Sequence, residues 1–311
     1  MNDHKFSFNG DGNKLFGIVI INLLLTVITL GIYYPWAKAA LLQYLYKETE
    51  LAGSPFTFHG TGKEMFRGFI KAILILAVIY GVFFAFIHYQ MPIIGASFFY
   101  LAIGLLMPLI IHGSMRYRMS RTSWRGIHFG YRGLYPEFAK KFYKDLFFSI
   151  ITLGIYSFWL TINIRKYTIG HTRYGDVKFS YKGDGGTYFG LIIGGYFLTI
   201  ITFGIYGFWW MKDLFNYYYT NIELHQDNKT IPLKSTITGG GLFSLLIVNF
   251  LIVIFSFGIA APWAQVRTLR YMCKNLTVGK NFNPNSVTQT EEEYKDATGE
   301  DLGDMFDIGI I

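Results

Sequence analysis

Cysteine is almost absent: Cys273 is the only one in 311 residues, so no intramolecular disulfide framework can form. Nothing then favours folding in an oxidising compartment, and the single thiol reads as unreactive, beside an apolar helix. Charge is also scarce, at 15% of residues against roughly a quarter in an ordinary soluble domain. The sequence lacks His-Glu-x-x-His and any other metal-ligand spacing of His, Cys, Asp or Glu, and it lacks the Gly-x-x-x-x-Gly-Lys-Ser/Thr loop that cradles nucleotide phosphates. No cofactor, no metal and no enzymatic constellation is therefore expected. A cleaved leader is not expected either, because Met1 to Lys14 is polar and of mixed charge and the apolar run behind it is longer than a signal core.

What the chain has instead is apolar length. Leu15 to Tyr34 contains no charged side chain over 20 residues, about what a helix needs to cross a hydrocarbon core. Five further runs, Ala72 to Ile87, Ile93 to Ile111, Leu146 to Leu160, Tyr188 to Met211 and Leu242 to Trp263, make six, many with Trp or Tyr near an end. The shorter ones also fit re-entrant or interfacial segments. The expected fold class is a multi-pass α-helical membrane protein with short β-hairpins between the helices.

Net charge is +8 and unevenly spread. From Asn285 on, eight acidic residues face the single Lys295, which leaves about +15 on the residues before them. Residues 285–311 read as an acidic, disordered tail on a membrane domain covering 1–284. Basic residues next to apolar helices point to anionic lipid at the cytoplasmic face, and no nucleic-acid partner is needed to account for them.

Self-similarity organises the whole domain. Phe6-Ser-Phe8-Asn-Gly10-Asp-Gly12 returns as Phe56-Thr-Phe58-His-Gly60-Thr-Gly62 and Phe179-Ser-Tyr181-Lys-Gly183-Asp-Gly185, with a shorter copy at Phe129-Gly-Tyr131-Arg-Gly133. Such alternation ending in Gly predicts a strand and a turn. The apolar helices that follow end in Thr29-Leu-Gly-Ile-Tyr33, Thr152-Leu-Gly-Ile-Tyr156 and Thr202-Phe-Gly-Ile-Tyr206, each with a Trp three residues on, and in a variant, Phe257-Gly-Ile-Ala-Ala-Pro-Trp263. About five copies of strand, apolar helix, amphipathic helix and strand start near residues 6, 56, 129, 179 and 234, and the second carries an extra apolar segment at 93–111. If each helix returns at Gly-Ile-Tyr, all hairpins share one side of the membrane; if each crosses once, they alternate. The Lys- and Arg-rich hairpin stretches, against none in His88 to Pro92, favour a shared cytoplasmic face. The strand at Phe6 to Phe8 would then close against the one near Leu276 to Val278.

The Phe-x-Phe-x-Gly strands, the Gly-Ile-Tyr-x-x-Trp helix ends and Pro35-Trp36-Ala37 resemble the YjgN-like inner-membrane proteins of bacteria, a family of unknown function, over roughly residues 6 to 284. The resemblance implies a multi-pass protein of the bacterial inner membrane and transfers no catalytic residues.

Polar residues inside apolar segments are the remaining candidates for function, since each is costly at the bilayer centre. Asn22, Asp145 and Asn249 stand at one repeat position and fit either a polar path or hydrogen-bonded glue between helices. His88 and His112 flank the inserted pair of segments and are candidate titratable groups, or simply wet helix ends. The Gly-Asp-Gly and Gly-Thr-Gly turns read as helix caps. Two functions follow: a non-enzymatic scaffold or accessory component whose basic, strand-capped face binds anionic lipid headgroups or a membrane-protein partner, or a transporter or channel whose path is lined by Asn22, Asp145 and Asn249.

Overall fold

The computed structural model describes residues 3–290. Five successive units each run as strand, outgoing helix, returning helix and strand. The first is β1 (His4–Phe8), α1 (Gly12–Ile28), α2 (Tyr34–Glu48) and β2 (Thr49–Leu51); the second is β3 (Ser54–Phe58), α3 (Gly62–His88), α4 (Pro92–Ser120) and β4 (Thr122–Trp124). The third is β5 (Ile127–Tyr131), α5 (Tyr135–Ile151), α6 (Ser157–Gly170) and β6 (Thr172–Tyr174); the fourth is β7 (Val177–Tyr181), α7 (Gly185–Ile201), α8 (Gly207–Thr220) and β8 (Ile222–Gln226). β9 (Lys229–Ser235), α9 (Gly239–Phe255), α10 (Ala261–Lys274) and β10 (Leu276–Val278) complete the series.

The ten strands form one closed antiparallel barrel in chain order, and β1 closes on β10 with His4 opposite Val278 and Lys5 opposite Thr277. Closure removes every sheet edge. At one end the strands are joined by tight turns. Ala52-Gly53, Arg125-Gly126 and Asp227-Asn228 have positive φ at both residues, the hand that matches strand twist. At the other end stand the helices, each packed on its neighbours in sequence, with α1 on α10.

Why the helices turn back is explained by the Thr-x-Gly-Ile-Tyr stretches. Leu30 and Gly31 take φ of 51° and 91°, which sends the Gly31 N–H to Thr26 O at 2.7 Å. The Thr29 hydroxyl donates to Leu25 O at 2.7 Å and accepts from the Tyr33 N–H at 3.0 Å. Thr152 and Thr202 accept in the same way from Tyr156 and Tyr206, and Ser256 from Ala260. Every N–H from Thr29 to Tyr34 is thus bonded inside the turn, so the tip needs no water.

Neighbouring units are keyed by tryptophan. The rings of Trp36, Trp159, Trp209 and Trp263 lie where a Cβ would stand on Gly62, Gly185, Gly239 and Gly12. Each also packs on a Phe one turn further along that helix: Phe66, Phe189, Phe243 and Phe16. The seam from α4 to α5 lacks this pair. There buried His112 donates its Nε2–H to Gly133 O (3.1 Å) and meets Tyr131 and Tyr135 edge-on.

These findings correct the expected multi-pass helical fold with separate hairpins. The hairpins are not isolated connections but consecutive strands of one barrel. Of six apolar runs, only those in α3 (27 residues) and α4 (29 residues) lie in helices long and apolar enough to cross a membrane; α1, α7 and α9 are apolar but stop at 17 residues. Leu15 to Tyr34, Leu146 to Leu160, Tyr188 to Met211 and Leu242 to Trp263 each run through a tip and into the returning helix. Because the tips satisfy their own backbone and carry Leu, Ile and Phe, hydropathy passes over them without a break. Of the expected tail, residues 285–290 lie on the barrel, and the acidic residues from Glu291 onward fall outside the described residues.

The tryptophan keys are open to test. Gly185→Ala is expected to lower stability by about 1–3 kcal/mol through overpacking against Trp159. Gly190→Ala, with open space at its Cβ position, is expected to leave the melting temperature in detergent unchanged or slightly raised. Equal melting temperatures for the two variants would remove the keying role.

Candidate functional site

The first Phe of each Phe-x-Phe pair points into the barrel. Phe6, Phe56, Phe129 and Phe179 form a file of rings with centroids 6.3–6.5 Å apart, and Leu233 stands at the matching place on β9. The second aromatic, Phe8, Phe58, Tyr131 or Tyr181, is buried under the helix bases. Inside the barrel is a cavity of about 310 Å³ walled by Phe, Leu, Val, Tyr219, Tyr174 and Trp124, the last two joined by a Tyr174 hydroxyl bond to Trp124 O at 3.0 Å. Such a wall leaves few partners for water.

The two ends of the cavity differ. The turn end is crossed by residues 279–290. Phe282, 4% exposed, packs on His4 and Trp124, and Gln226 exchanges two 2.9 Å bonds with the backbone of Asn283. Gln289 accepts from the His128 N–H and Thr290 donates to Gly175 O, so the segment reaches across to the far wall. At the helix end, Met115, Met119, Arg165, Ile169 and Tyr219 form the rim. Arg165 is 8% exposed and its guanidinium lies 3.9 Å from the Tyr218 ring centre; no hydrogen bond or ion pair holds it among the described residues. Tyr218 is itself held by the Tyr188 hydroxyl at 2.6 Å.

The anticipated polar residues are placed apart. Asn22 donates to Ala37 O at 3.5 Å, Asn249 donates to Ala264 O (3.2 Å) and to the Thr268 hydroxyl (2.9 Å), and Asp145 accepts from the Asn163 amide at 2.8 Å. Each bonds within its own helical hairpin. In the fourth unit the corresponding Gly195 admits the Trp210 ring, so the same contact is made by a large side chain on a small one. His88 and His112 are not brought together: His88 is exposed at the far end of α3, while His112 lies 20 residues along α4, about 30 Å away at 1.5 Å per residue. Among the described residues no group of three His, Cys, Asp or Glu side chains is placed to hold a metal ion.

Arg165 escaped notice because it sits in an ordinary basic helix. Its register marks it, since the residue two before the recurrent Tyr is Leu42, Met115, Arg165, Phe215 or Leu269 in the five units. Charge occurs at that position once.

A second feature lies on the outer surface. Lys14, Lys63, Arg67, Lys140, Lys141, Lys166 and Arg270 are exposed towards the barrel ends of their helices, and Lys144 and Arg267 are exposed near the helix middles. The tips carry no charge and present Leu30, Leu153, Phe203 and Phe257 at 94–97% exposure.

The chain matches the family described as "Bacterial protein of unknown function (DUF898)" over residues 3–184, 176–230 and 210–305. It belongs to that family. Among curated proteins it is similar to "Inner membrane protein YjgN" of Salmonella typhimurium (35% identical over 130 residues, 42% of this chain and 32% of that protein). The proteins of the same name from Escherichia coli O157:H7 (35% over 130 residues, 41% and 31%) and strain K12 (34% over 133 residues, 41% and 31%) are similar as well. The match spans about a third of the length of these relatives. No solved structure matches. The chain is a bacterial inner-membrane protein, and the family carries no enzymatic name.

If Asp145 serves helix packing, Asp145→Leu is expected to cost about 1–3 kcal/mol by stranding the Asn163 amide. Asp145→Asn keeps an acceptor and is expected to stay near wild type. Adding Asn163→Leu to Asp145→Leu should recover most of the loss, a coupling read from melting curves of the four proteins.

Proposed function

We propose that this chain is a non-enzymatic membrane component, a scaffold or accessory protein that holds its barrel at the cytoplasmic surface and grips anionic headgroups with the belt of lysine and arginine. One observation carries the reading: exposed basic residues lie on the helices towards the barrel while the four short tips hold no Lys, Arg, Asp or Glu and expose Leu, Ile and Phe. Inserted tip-first, the molecule sets the belt at the headgroups and the tips in hydrocarbon, and basic residues beside a membrane favour the cytoplasmic leaflet. Helices of 17 residues reach about 25 Å, short of the roughly 30 Å core, whereas α3 and α4 at 27 and 29 residues reach about 40 Å. Four hairpins would then dip and one would cross, bringing Tyr89 to the far side. The self-bonded tips suit such a setting, because no water is there to pair a free N–H. The belt and the exposed turn end of the barrel are the surfaces for a protein partner.

A transporter with Asn22, Asp145 and Asn249 along its path is the weaker reading, since each of those side chains is engaged within its own hairpin.

Topology is tested in a Cys273→Ser background. The native thiol is pushed up to about 11 by burial and is a poor nucleophile near neutral pH. Cysteines replacing Lys178 and Lys229 in the barrel are expected to label with an impermeant maleimide only after cells are opened, and one replacing Tyr89 to label in intact cells. Labelling of the barrel positions from outside would overturn the orientation. For the belt, Lys140→Glu with Lys141→Glu and Lys144→Glu is expected to lower several-fold the preference for phosphatidylglycerol over phosphatidylcholine around the reconstituted protein, measured by energy transfer from tryptophan to labelled lipid. An unchanged preference would refute headgroup binding by that stretch.

A further inference from the structure

We propose that the barrel cavity binds a single-chain anionic amphiphile of the fatty-acid class, with its carboxylate at Arg165 and its hydrocarbon chain among Phe6, Phe56, Phe129, Phe179 and Trp124. This site is distinct from the outer basic belt, and either can fail while the other stands.

Three observations converge on it. The space is about 310 Å³, within the range of small-ligand sites, and its wall is almost entirely apolar, which suits a hydrocarbon chain better than water or a polar metabolite. Its rim holds one charged side chain, Arg165, which is more than nine-tenths buried and lies over the rings of Tyr218 and Tyr181, with no carboxylate paired to it among the described residues. A guanidinium without a carboxylate in a desolvated place is costly, and planar bidentate pairing with a carboxylate is what that group does best. Third, the cavity is polarised. Phe282 and the segment behind it seal the turn end, so a chain inside has its charged head at the helix end, where Arg165 is. At the other four places in the same register the units put Leu42, Met115, Phe215 and Leu269, so a second anion has no counterpart and the site takes one head. The helices around that rim stand in the same membrane that supplies such amphiphiles.

The test uses the full chain in phosphatidylcholine nanodiscs and dibromostearate, whose bromines quench indole fluorescence on contact. Expected is a saturable quenching component that Trp124→Phe abolishes, superimposed on the non-saturating quenching of lipid-facing tryptophans. Arg165→Gln is expected to weaken the saturable component at least tenfold, and the brominated alcohol of equal chain length to bind wild type at least tenfold more weakly than the acid. Absence of a saturable component, its persistence in Trp124→Phe, or an unaltered affinity in Arg165→Gln would each overturn the proposal. If Arg165→Gln does not fold, the comparison of acid with alcohol on the wild-type protein decides alone: equal affinities sink the idea, because an uncharged head would then serve as well.

Discussion

A ring of helical hairpins closes only when the last packs on the first as closely as the others pack on their neighbours, and at four of the five seams here, the closing one included, that is done by an indole ring seated on a glycine. Trp263 lies on Gly12 as Trp36 lies on Gly62, Trp159 on Gly185 and Trp209 on Gly239. Any side chain at those glycines would hold the helices apart, and any smaller residue at the tryptophans would leave a gap between them. With the spacing of the hairpins set this way, the strands at their feet arrive side by side, and β1 meets β10 without an edge to spare. The barrel, its cavity and the belt around the helix bases all depend on that seam.

The same arrangement accounts for an unusual division of polarity. Backbone pairing is closed inside the barrel and, in four of the five tips, supplied by a Thr or Ser hydroxyl and a left-handed Gly, so neither end of those hairpins needs water. Side chains are therefore free to follow the surroundings. Leu and Phe occupy the tips, Lys and Arg the bases, and Phe, Leu and Val the barrel interior. Arg165 is the exception, a charge on the inner rim in a place where every other unit puts an apolar residue.

Several elements are legible in the sequence alone. Phe-x-Phe-x-Gly marked the strands, because alternation with an aromatic every second residue has no helical reading, and the stretch from Phe6 to Phe8 does lie antiparallel to β2. The Thr-x-Gly-Ile-Tyr stretches marked where something happens to a helix. Whether the chain turns back there or passes on is open in the sequence, although the basic hairpins favour a return, because a turn that bonds its own N–H groups and is built of Leu, Ile and Phe has the same hydropathy as the helix it ends. Six apolar runs are therefore expected, with the number of crossings open, where two helices have the length. Asn22, Asp145 and Asn249 stood out as polar groups in apolar runs, yet the partner that explains each, Ala37, Asn163 or Ala264, lies on the returning helix and comes near only after the chain folds back.

Composition and local pattern determined by themselves that the chain belongs with a membrane, that it has no disulfide, and where strands and helix caps begin; these follow from side-chain polarity, cysteine count and short-range periodicity. Closure of the barrel, the cavity within it and the isolation of Arg165 at its rim were decided by tertiary structure alone. They depend on contacts between residues far apart in the chain, Trp263 with Gly12 and His4 with Val278, which no window of sequence contains.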